Sequence, residues 1–139
     1  MNRAWVDENL NRRLLLNEEY HYPSRCTDLL PIAHAYGHAD KELGLLYFYP
    51  AEGGVSMSPL TGKGDFHPLG AIANYTMHPL TAGRVSTLIS ADVPDVVRSL
   101  VRESLGCPLC YITGAAGTNH PRSPNTGFEE TRRVGGVLG

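Results

Sequence analysis

One stretch of the sequence, residues 92–105, constrains the fold more than any other. Asp92 or Ser90 is suited to cap the free N–H groups at its start, and Gly106 is suited to the C-terminal stop. The apolar residues recur at the i, i+3, i+4, i+7 spacing of a single helical stripe, and they are Val93, Val96, Val97, Leu100, Val101 and Leu105. The pattern predicts an amphipathic helix that buries one face.

Strand-like runs stand on both sides of this helix. Leu69–Met77 is an apolar run that stops at His78-Pro79, and Leu109–Thr113 is a second run that leads into a glycine-rich turn. A strand–helix–strand order predicts a right-handed βαβ unit with parallel strands. Parallel strands end at the same edge of a sheet, where ligand sites collect. We therefore expect His78, the Ser90–Asp92 corner and the loop 114–122 to converge there.

The rest of the chain gives weaker signals. Leu43–Tyr49 is a continuous apolar run ended by Pro50, which predicts a strand buried on both faces. Residues 1–40 are polar and without a sustained period, so we expect mostly irregular structure or one short helix there. Residues 53–66 are rich in Gly, Ser and Pro and are expected to form a loop.

A last helix is predicted to begin near Thr126, where Thr126 and Glu129 have capping-box spacing, and to run into Gly135-Gly136. The expected fold is α/β, with a small mixed or parallel sheet, flanking helices and one right-handed βαβ unit in a single domain spanning 1–139. The last residues before Gly139 are the apolar Val137 and Leu138, and this pattern predicts a truncated part of a larger domain.

Charge and composition exclude several classes of function. The 12 basic and 14 acidic residues are well mixed and give a net charge of −2, so neither a nucleic-acid footprint nor a polybasic membrane-binding segment is present. Three cysteines are too few for a disulfide framework. No signal-peptide core and no transmembrane segment is found. We expect a cytoplasmic chain as written, although a longer parent protein would be compatible with secretion or membrane association.

His78 is the leading candidate for chemistry, since a histidine between a strand and a loop is a common metal ligand or general base. A structural imidazole bonded to a backbone carbonyl is an equal alternative on local grounds. A zinc site needs three or four ligands, and the nearby candidates are His120, Asp92 and His67. Asp92 is favoured as a helix cap, and a carboxylate there can also orient a neighbouring histidine–metal unit.

Two further motifs are less specific. Cys107 and Cys110 have CxxC spacing, but a structural zinc site needs a second ligand pair, so a buried apolar role is favoured. The turn that contains Gly114 and Gly117 would let backbone N–H groups approach a ligand closely, as oxyanion loops do. It lacks the ending of a nucleotide-binding loop. A binding turn and a purely structural turn remain equal alternatives.

Four segments together resemble the amidase domain of neutral (alkaline, non-lysosomal) ceramidases. Their order and spacing agree across nearly the whole chain, and they are Asn2-Arg3, Asp40–Leu46, Ala71–Asp92 with His78-Pro79, and Tyr111–Arg122. The resemblance implies hydrolysis of the amide bond of ceramide, or of a similar N-acyl lipid, by one zinc ion held by two His, a Glu and a Tyr. It places His78 at the second zinc histidine, and it makes Arg3, Gly114 and Gly117 candidates for substrate binding.

The sequence also departs from the family. Ceramidases carry a serine implicated in catalysis where this chain has His120, so His120 is the candidate catalytic residue at that position. The resemblance implies that the remaining zinc ligands would precede Met1 or follow Gly139, so we expect them to be absent from this chain. The resemblance therefore implies an interior fragment of a zinc-dependent amidohydrolase, inactive alone, with missing flanking segments or a homo-oligomer to complete it.

Two alternatives stay open. One is a non-catalytic ceramidase-like domain that uses the His78 edge for binding or interaction, and His120 in place of the serine favours it. The other is a small hydrolase of another type that uses His78, Asp92 and His120, although no nucleophile motif accompanies them.

Overall fold

A four-stranded mixed sheet organises the chain. The computed structural model describes residues 2–11, 14–16, 19–21, 38–51, 67–83, 86–122 and 126–139. In chain order the strands are β1 (Asn2–Trp5), β2 (Asn9–Asn11), β3 (Leu14–Leu16), β4 (Glu19–His21), β5 (Glu42–Phe48), β6 (Gly70–Tyr75), β7 (Leu109–Thr113) and β8 (Asn119–Pro121). The main sheet has the order β1–β5–β6–β7, while β2 pairs with β8 and β3 pairs with β4.

The predicted βαβ unit is confirmed. Strands β6 and β7 are parallel and run in register from Ala71 opposite Leu109 to Tyr75 opposite Thr113. Helix α1 (Val93–Leu105) connects them. The other two pairings of the main sheet, β1 with β5 and β5 with β6, are antiparallel. The sheet is therefore mixed, and its parallel half carries the polar edge that the sequence predicts.

Helix α1 begins and ends where its sequence predicts. The Asp92 carboxylate accepts a hydrogen bond from the Val93 N–H at 2.8 Å, and Pro94 lies in the first turn, where its missing N–H costs nothing. Gly106 has φ +68° and donates its N–H to the Arg102 carbonyl at 3.0 Å, so the helix ends in a left-handed cap. The valines at the centre of the predicted stripe are buried: Val93, Val97 and Val101.

Helix α2 (Phe128–Leu138) packs on α1 and begins near Thr126 as predicted, but the predicted capping box is wrong and the helix extends past Gly135-Gly136. The N-cap is Gly127 without a side-chain cap, so Thr126 and Glu129 form no capping box. The helix also continues through Gly135, which is buried against α1. A Cβ at Gly135 would lie 2.5 Å from Val96 Cβ and Cγ1. This glycine therefore allows two helices to approach closely and does not end one.

The core lies between the sheet and the two helices. Helix α1 packs against β7 and helix α2 packs on α1, and every second residue of β6 is buried. The buried apolar residues of the core are Val6, Leu43, Ala71, Ala73, Tyr75, Met77, Val93, Val97, Val101, Cys107, Leu109, Val134 and Leu138.

The opposite face of the sheet is open within the described residues. The prediction that the strand Leu43–Tyr49 is buried on both faces is wrong, because Leu46 and Phe48 on β5 are 40% and 48% exposed. Trp5 on β1 is 77% exposed. A continuous apolar run is typical of a doubly covered strand, but here only the residues facing the helices are covered.

The described residues between Asn2 and His21 form four short strands, so the expectation of irregular structure or one short helix is wrong there, while residues 22–37 lie outside the described residues. β1 pairs with the central sheet, and the segment that follows is fixed by long-range contacts. The Val6 N–H donates to the Lys41 carbonyl at 2.8 Å, and Tyr75 Oη donates to the Val6 carbonyl at 2.9 Å. Arg133 of α2 donates to both carboxylate oxygens of Glu8 at 3.0 and 2.6 Å.

Some sequence predictions concern other parts of the chain. The predicted loop 53–66 and Cys26 lie outside the described residues. Of the other two cysteines, Cys107 is buried as expected, whereas Cys110 is exposed on β7, so the buried role predicted for it is wrong. Among the helices that the structure describes, none has the length and apolar character needed to cross a bilayer.

Candidate functional site at the carboxyl edge of the sheet

Two histidines meet just beyond the end of strand β6. His78 follows Tyr75 by three residues, and its backbone N–H donates to the Asn119 carbonyl at 2.9 Å. His120 is the next residue of β8 and is 8% exposed. The two imidazole rings have centroids 5.3 Å apart and planes inclined by 73°. The structure thus brings together two of the predicted site residues that lie 42 positions apart in sequence.

His120 lies at this edge because it belongs to a two-stranded ribbon formed by β2 and β8. Leu10 on β2 stands opposite His120 in an antiparallel register. The buried Asn9 side chain then ties the ribbon to the main sheet, because its Nδ2 donates to the Thr76 carbonyl at 2.5 Å and to the Asp40 carbonyl at 2.7 Å. One amide thereby joins the ribbon to the ends of two strands of the sheet.

The glycine-rich turn lies against the same edge. The Gly114 N–H donates to the Tyr75 carbonyl at 3.1 Å, which continues the parallel pairing one residue past β7. A Cβ at Gly114 would overlap with the Thr76 hydroxyl and lie 3.2 Å from Thr76 Cβ. A 3-10 turn, Ala116–Thr118, follows directly and leads into β8. Gly114 is therefore required by a close approach of two backbones, while a Cβ at Gly117 would meet open space.

Asp92 organises the loop that leaves His78. Its Oδ1 accepts from the Thr81 N–H and hydroxyl at 3.1 and 2.6 Å as well as from Val93, and its Oδ2 accepts from the Ala82 N–H at 2.6 Å. The Leu80 N–H, in turn, donates to the His78 carbonyl at 2.9 Å. Asp92 caps α1 and fixes the turn three and four residues after His78, so its effect on the histidine passes through the backbone.

Arg3 lies elsewhere, on the open face of the sheet. Its guanidinium forms an ion pair with Glu42 at 2.7 Å, and both side chains are well exposed. The pair borders an open groove of about 360 Å³ that also includes Asp40, Leu46 and Ile72. The structure therefore places Arg3 in a groove with a charged end and an apolar end, apart from the two histidines.

Sequence reasoning missed three buried polar residues that shape this edge: Asn9, Thr76 and Asn119. The Thr76 hydroxyl donates to Asp40 Oδ2 at 3.0 Å. The Oδ1 atoms of Asn9 and Asn119 are buried and have no hydrogen-bond partner among the described residues. Nothing in the local sequence marks Asn9, because its burial arises from contacts with residues 31 and 67 positions away.

A buried phenol lies directly beneath the edge. Tyr75 is fully buried, and burial raises the pKa of its hydroxyl to about 12 despite the opposing hydrogen bond from the Glu8 N–H. Its hydroxyl donates to the Val6 carbonyl and accepts from Glu8 at 3.3 Å. The phenol is therefore a neutral structural group at physiological pH.

The candidate metal-ligating side chains at this edge are His78 and His120. No cluster of three or more His, Cys, Asp or Glu side chains suited to a metal ion occurs within the described ranges. Two imidazoles are present, from His78 and His120, and they fit part of a zinc coordination sphere but not a complete one. Large aliphatic side chains are exposed on the loops next to this edge, namely Leu80, Leu88 and Ile89.

Comparison with solved structures identifies the fold. The chain matches neutral ceramidase from Pseudomonas aeruginosa with a TM-score of 0.64 and 18% sequence identity, over 98% of this chain and 20% of that one. A ceramidase complexed with C2 matches with a TM-score of 0.63 and 17% identity over the same shares. No family model and no curated protein matches the sequence. The chain spans about one fifth of the length of these ceramidases, and it has the fold of that part of them.

Proposed function

We propose that this chain is a ceramidase-like unit of a zinc-dependent amidohydrolase that cleaves an N-acyl amide such as ceramide. The observation that carries the proposal is the fold match to neutral ceramidases over nearly the whole chain. The histidine that sequence resemblance assigns to zinc stands at the edge of the parallel strands, where ligand sites of α/β folds collect. Fold and residue placement thus support the same function by separate routes.

His78 would hold the metal through a neutral imidazole, and its backbone is fixed to the Asn119 carbonyl. Bound zinc would supply polarisation of the amide carbonyl and acidification of a water molecule. Asp92 would act at a distance, because it fixes the turn that follows His78. The remaining protein ligands would come from outside the described residues.

The surroundings of His78 support an apolar substrate. Leu80 is 52% exposed two residues after His78, and Leu88 and Ile89 are 69% and 105% exposed just before Asp92. Large aliphatic side chains exposed together commonly mark a binding surface. We propose that they contact the acyl chain of the substrate. The turn that contains Gly114 and Gly117 would lie near the scissile bond, and Arg3 would contact a more distant polar part.

A second function, in a different class, is a non-catalytic ceramidase-like domain that binds ligands or partners at the same edge. The feature that favours it is His120, which stands where resemblance to ceramidases predicts a catalytic serine. An imidazole cannot replace a hydroxyl as an alkoxide or as a small hydrogen-bond donor of the same reach. The two functions make different predictions for turnover.

The test is zinc content and fatty-acid release from a short-chain fluorescent ceramide, measured on the full-length protein that carries this sequence. The hydrolase proposal predicts zinc-dependent release that His78→Ala abolishes. The control is His67→Ala. This exposed histidine precedes β6, at the opposite end of the strand from His78, so the structure does not place it with the candidate ligands and its loss should leave release unchanged. Stoichiometric zinc without cleavage of any N-acyl substrate would refute the hydrolase and support the binding domain.

A further inference from the structure

The geometry of the two imidazoles points to a role for His120 that the ceramidase pattern does not contain. We propose that His78 and His120 bind one divalent metal ion together, so that His120 is a metal ligand. The proposal shares the His78 metal position with the proposed function, but it concerns binding alone. It can therefore hold even if no amide is cleaved.

The distance between the rings suits a shared ion. An imidazole bound to zinc at about 2.0–2.1 Å has its ring centre roughly 3.2 Å from the metal, and two such rings at a tetrahedral angle have centres roughly 5.2 Å apart. The centroids of His78 and His120 are 5.3 Å apart. The spacing of the two rings therefore matches the spacing that a shared ion requires.

The relative orientation of the rings excludes a stacked pair. The nitrogen lone pairs of imidazole lie in the ring plane, so two parallel stacked rings direct them side by side rather than toward one point. The planes of His78 and His120 are inclined by 73°. An edge-to-face contact of two structural histidines would have similar orientation, and the experiment below separates it from chelation.

Both histidines are held in place from the same strand. β8 carries His120, and the carbonyl of its neighbour Asn119 accepts the His78 N–H. His120 is almost completely buried, so few other rotamers are open to it. A pre-ordered pair of ligands loses little conformational freedom on binding, which favours metal affinity. Imidazole donors suit Zn²⁺, Cu²⁺ and Ni²⁺ rather than Mg²⁺ or Ca²⁺.

The experiment is a metal titration of the untagged chain. Zn²⁺ affinity is measured by competition with a chromophoric chelator, and the number of coordinated imidazoles is read from the nitrogen hyperfine structure of Cu²⁺ in electron paramagnetic resonance. We expect one ion per chain with two imidazoles. His78→Ala and His120→Ser should each lower affinity by about tenfold or more and leave one imidazole, since even residues that only support a ligand cost about tenfold.

The control is His67→Ala, which removes an exposed histidine and should change neither affinity nor imidazole count. If His120→Ser binds as tightly as the unmodified chain with an unchanged spectrum, the proposal is wrong. Equal losses from all three variants would show adventitious surface binding and would also overturn it.

A second measurement avoids dependence on the fold of a variant. In the unmodified chain, substoichiometric Cu²⁺ should broaden the ring proton signals of His78 and His120 together and before those of His67. Broadening of His78 without His120 would refute the shared site. Metal binding with two imidazoles but no amide cleavage would refute the proposed hydrolase and leave this inference standing.

Discussion

Replacement of Asp92 tests how the loop after His78 is held. This carboxylate is 7% exposed and accepts hydrogen bonds from three backbone N–H groups and one hydroxyl, belonging to Thr81, Ala82 and Val93. Its backbone has φ +56°, which is uncommon for a residue other than glycine. The residue therefore combines a dense set of hydrogen bonds with local strain, and different substitutions separate the two effects.

The magnitudes follow from those contacts. Asp92→Ala leaves the N–H groups of Thr81, Ala82 and Val93 without acceptors, and we expect a loss of about 3–5 kcal/mol in the free energy of unfolding. Asp92→Asn keeps an acceptor at Oδ1 and loses the bond to Ala82, which should cost about 1–2 kcal/mol. Asp92→Gly loses the same bonds as alanine but relieves the strain at positive φ, so it should be roughly 1 kcal/mol less destabilising than alanine.

Urea unfolding followed by circular dichroism measures these differences, with Asp95→Ala as the control. Asp95 is an exposed acidic residue in the first turn of the same helix, so its loss should cost only about 0.3–1 kcal/mol through the helix dipole. Equal destabilisation by alanine and asparagine at position 92 would show that the hydrogen bonds of the Asp92 carboxylate do not hold the loop. The same conclusion would follow if neither variant differs from the Asp95 control.

Three further changes have definite expected outcomes. Gly114→Ala should lower the free energy of unfolding by about 1–3 kcal/mol through overlap with Thr76, and Gly114→Ala combined with Thr76→Ala should cost less than the sum of the two in a urea double-mutant cycle. Gly135→Ala should lower the free energy of unfolding by about 1–3 kcal/mol in thermal unfolding, because the added methyl group meets helix α1. Gly136→Ala, whose methyl group meets open space, should raise it by about 0.5–1 kcal/mol. Equal effects of the two variants would contradict the packing. The pKa of Tyr75 is raised to about 12, so its contribution to stability should be complete below pH 10 and lost as the pH rises from 10 through 12, and Tyr75→Phe should remove this part of the alkaline transition in a urea series.

The sequence predicts the βαβ unit because its signals are local. The valine stripe, Asp92 and Gly106 each act within one helix, and the strand Leu109–Thr113 has the predicted bounds. Parallel pairing then follows from connectivity alone, and with it the meeting of His78 and the glycine-rich turn at one edge. That half of the fold is set by interactions a few residues apart.

The missed features depend on distant contacts. Strands β2 and β8 have three residues each, too few for a periodic signal, and they exist because Asn9 and Asn11 pair with residues more than 100 positions away. Gly135 is of a residue type that commonly ends helices, yet it lies in the interior of α2. A side chain at this position would overlap with Val96 of α1, so the packing of the two helices requires a glycine there. His120 is identified by resemblance, but its contact with His78 is visible only once β8 is formed.

The burial of β5 was mispredicted for a related reason. A run of apolar residues shows that a strand is compatible with two covering layers, but the layers themselves come from elsewhere in a protein. Leu46 and Phe48 are uncovered within the described residues. The ceramidases that share this fold are about five times longer than the matched segment.

The proposed function places a zinc site of a ceramidase-like hydrolase at the edge of the sheet that carries His78. The most direct test is anomalous X-ray diffraction at the zinc absorption edge, from crystals of the full-length protein grown with zinc. We expect a single strong peak about 2.0–2.1 Å from an imidazole nitrogen of His78. A fully occupied zinc peak elsewhere in the protein, or no peak near His78 in a protein that contains zinc, would contradict it.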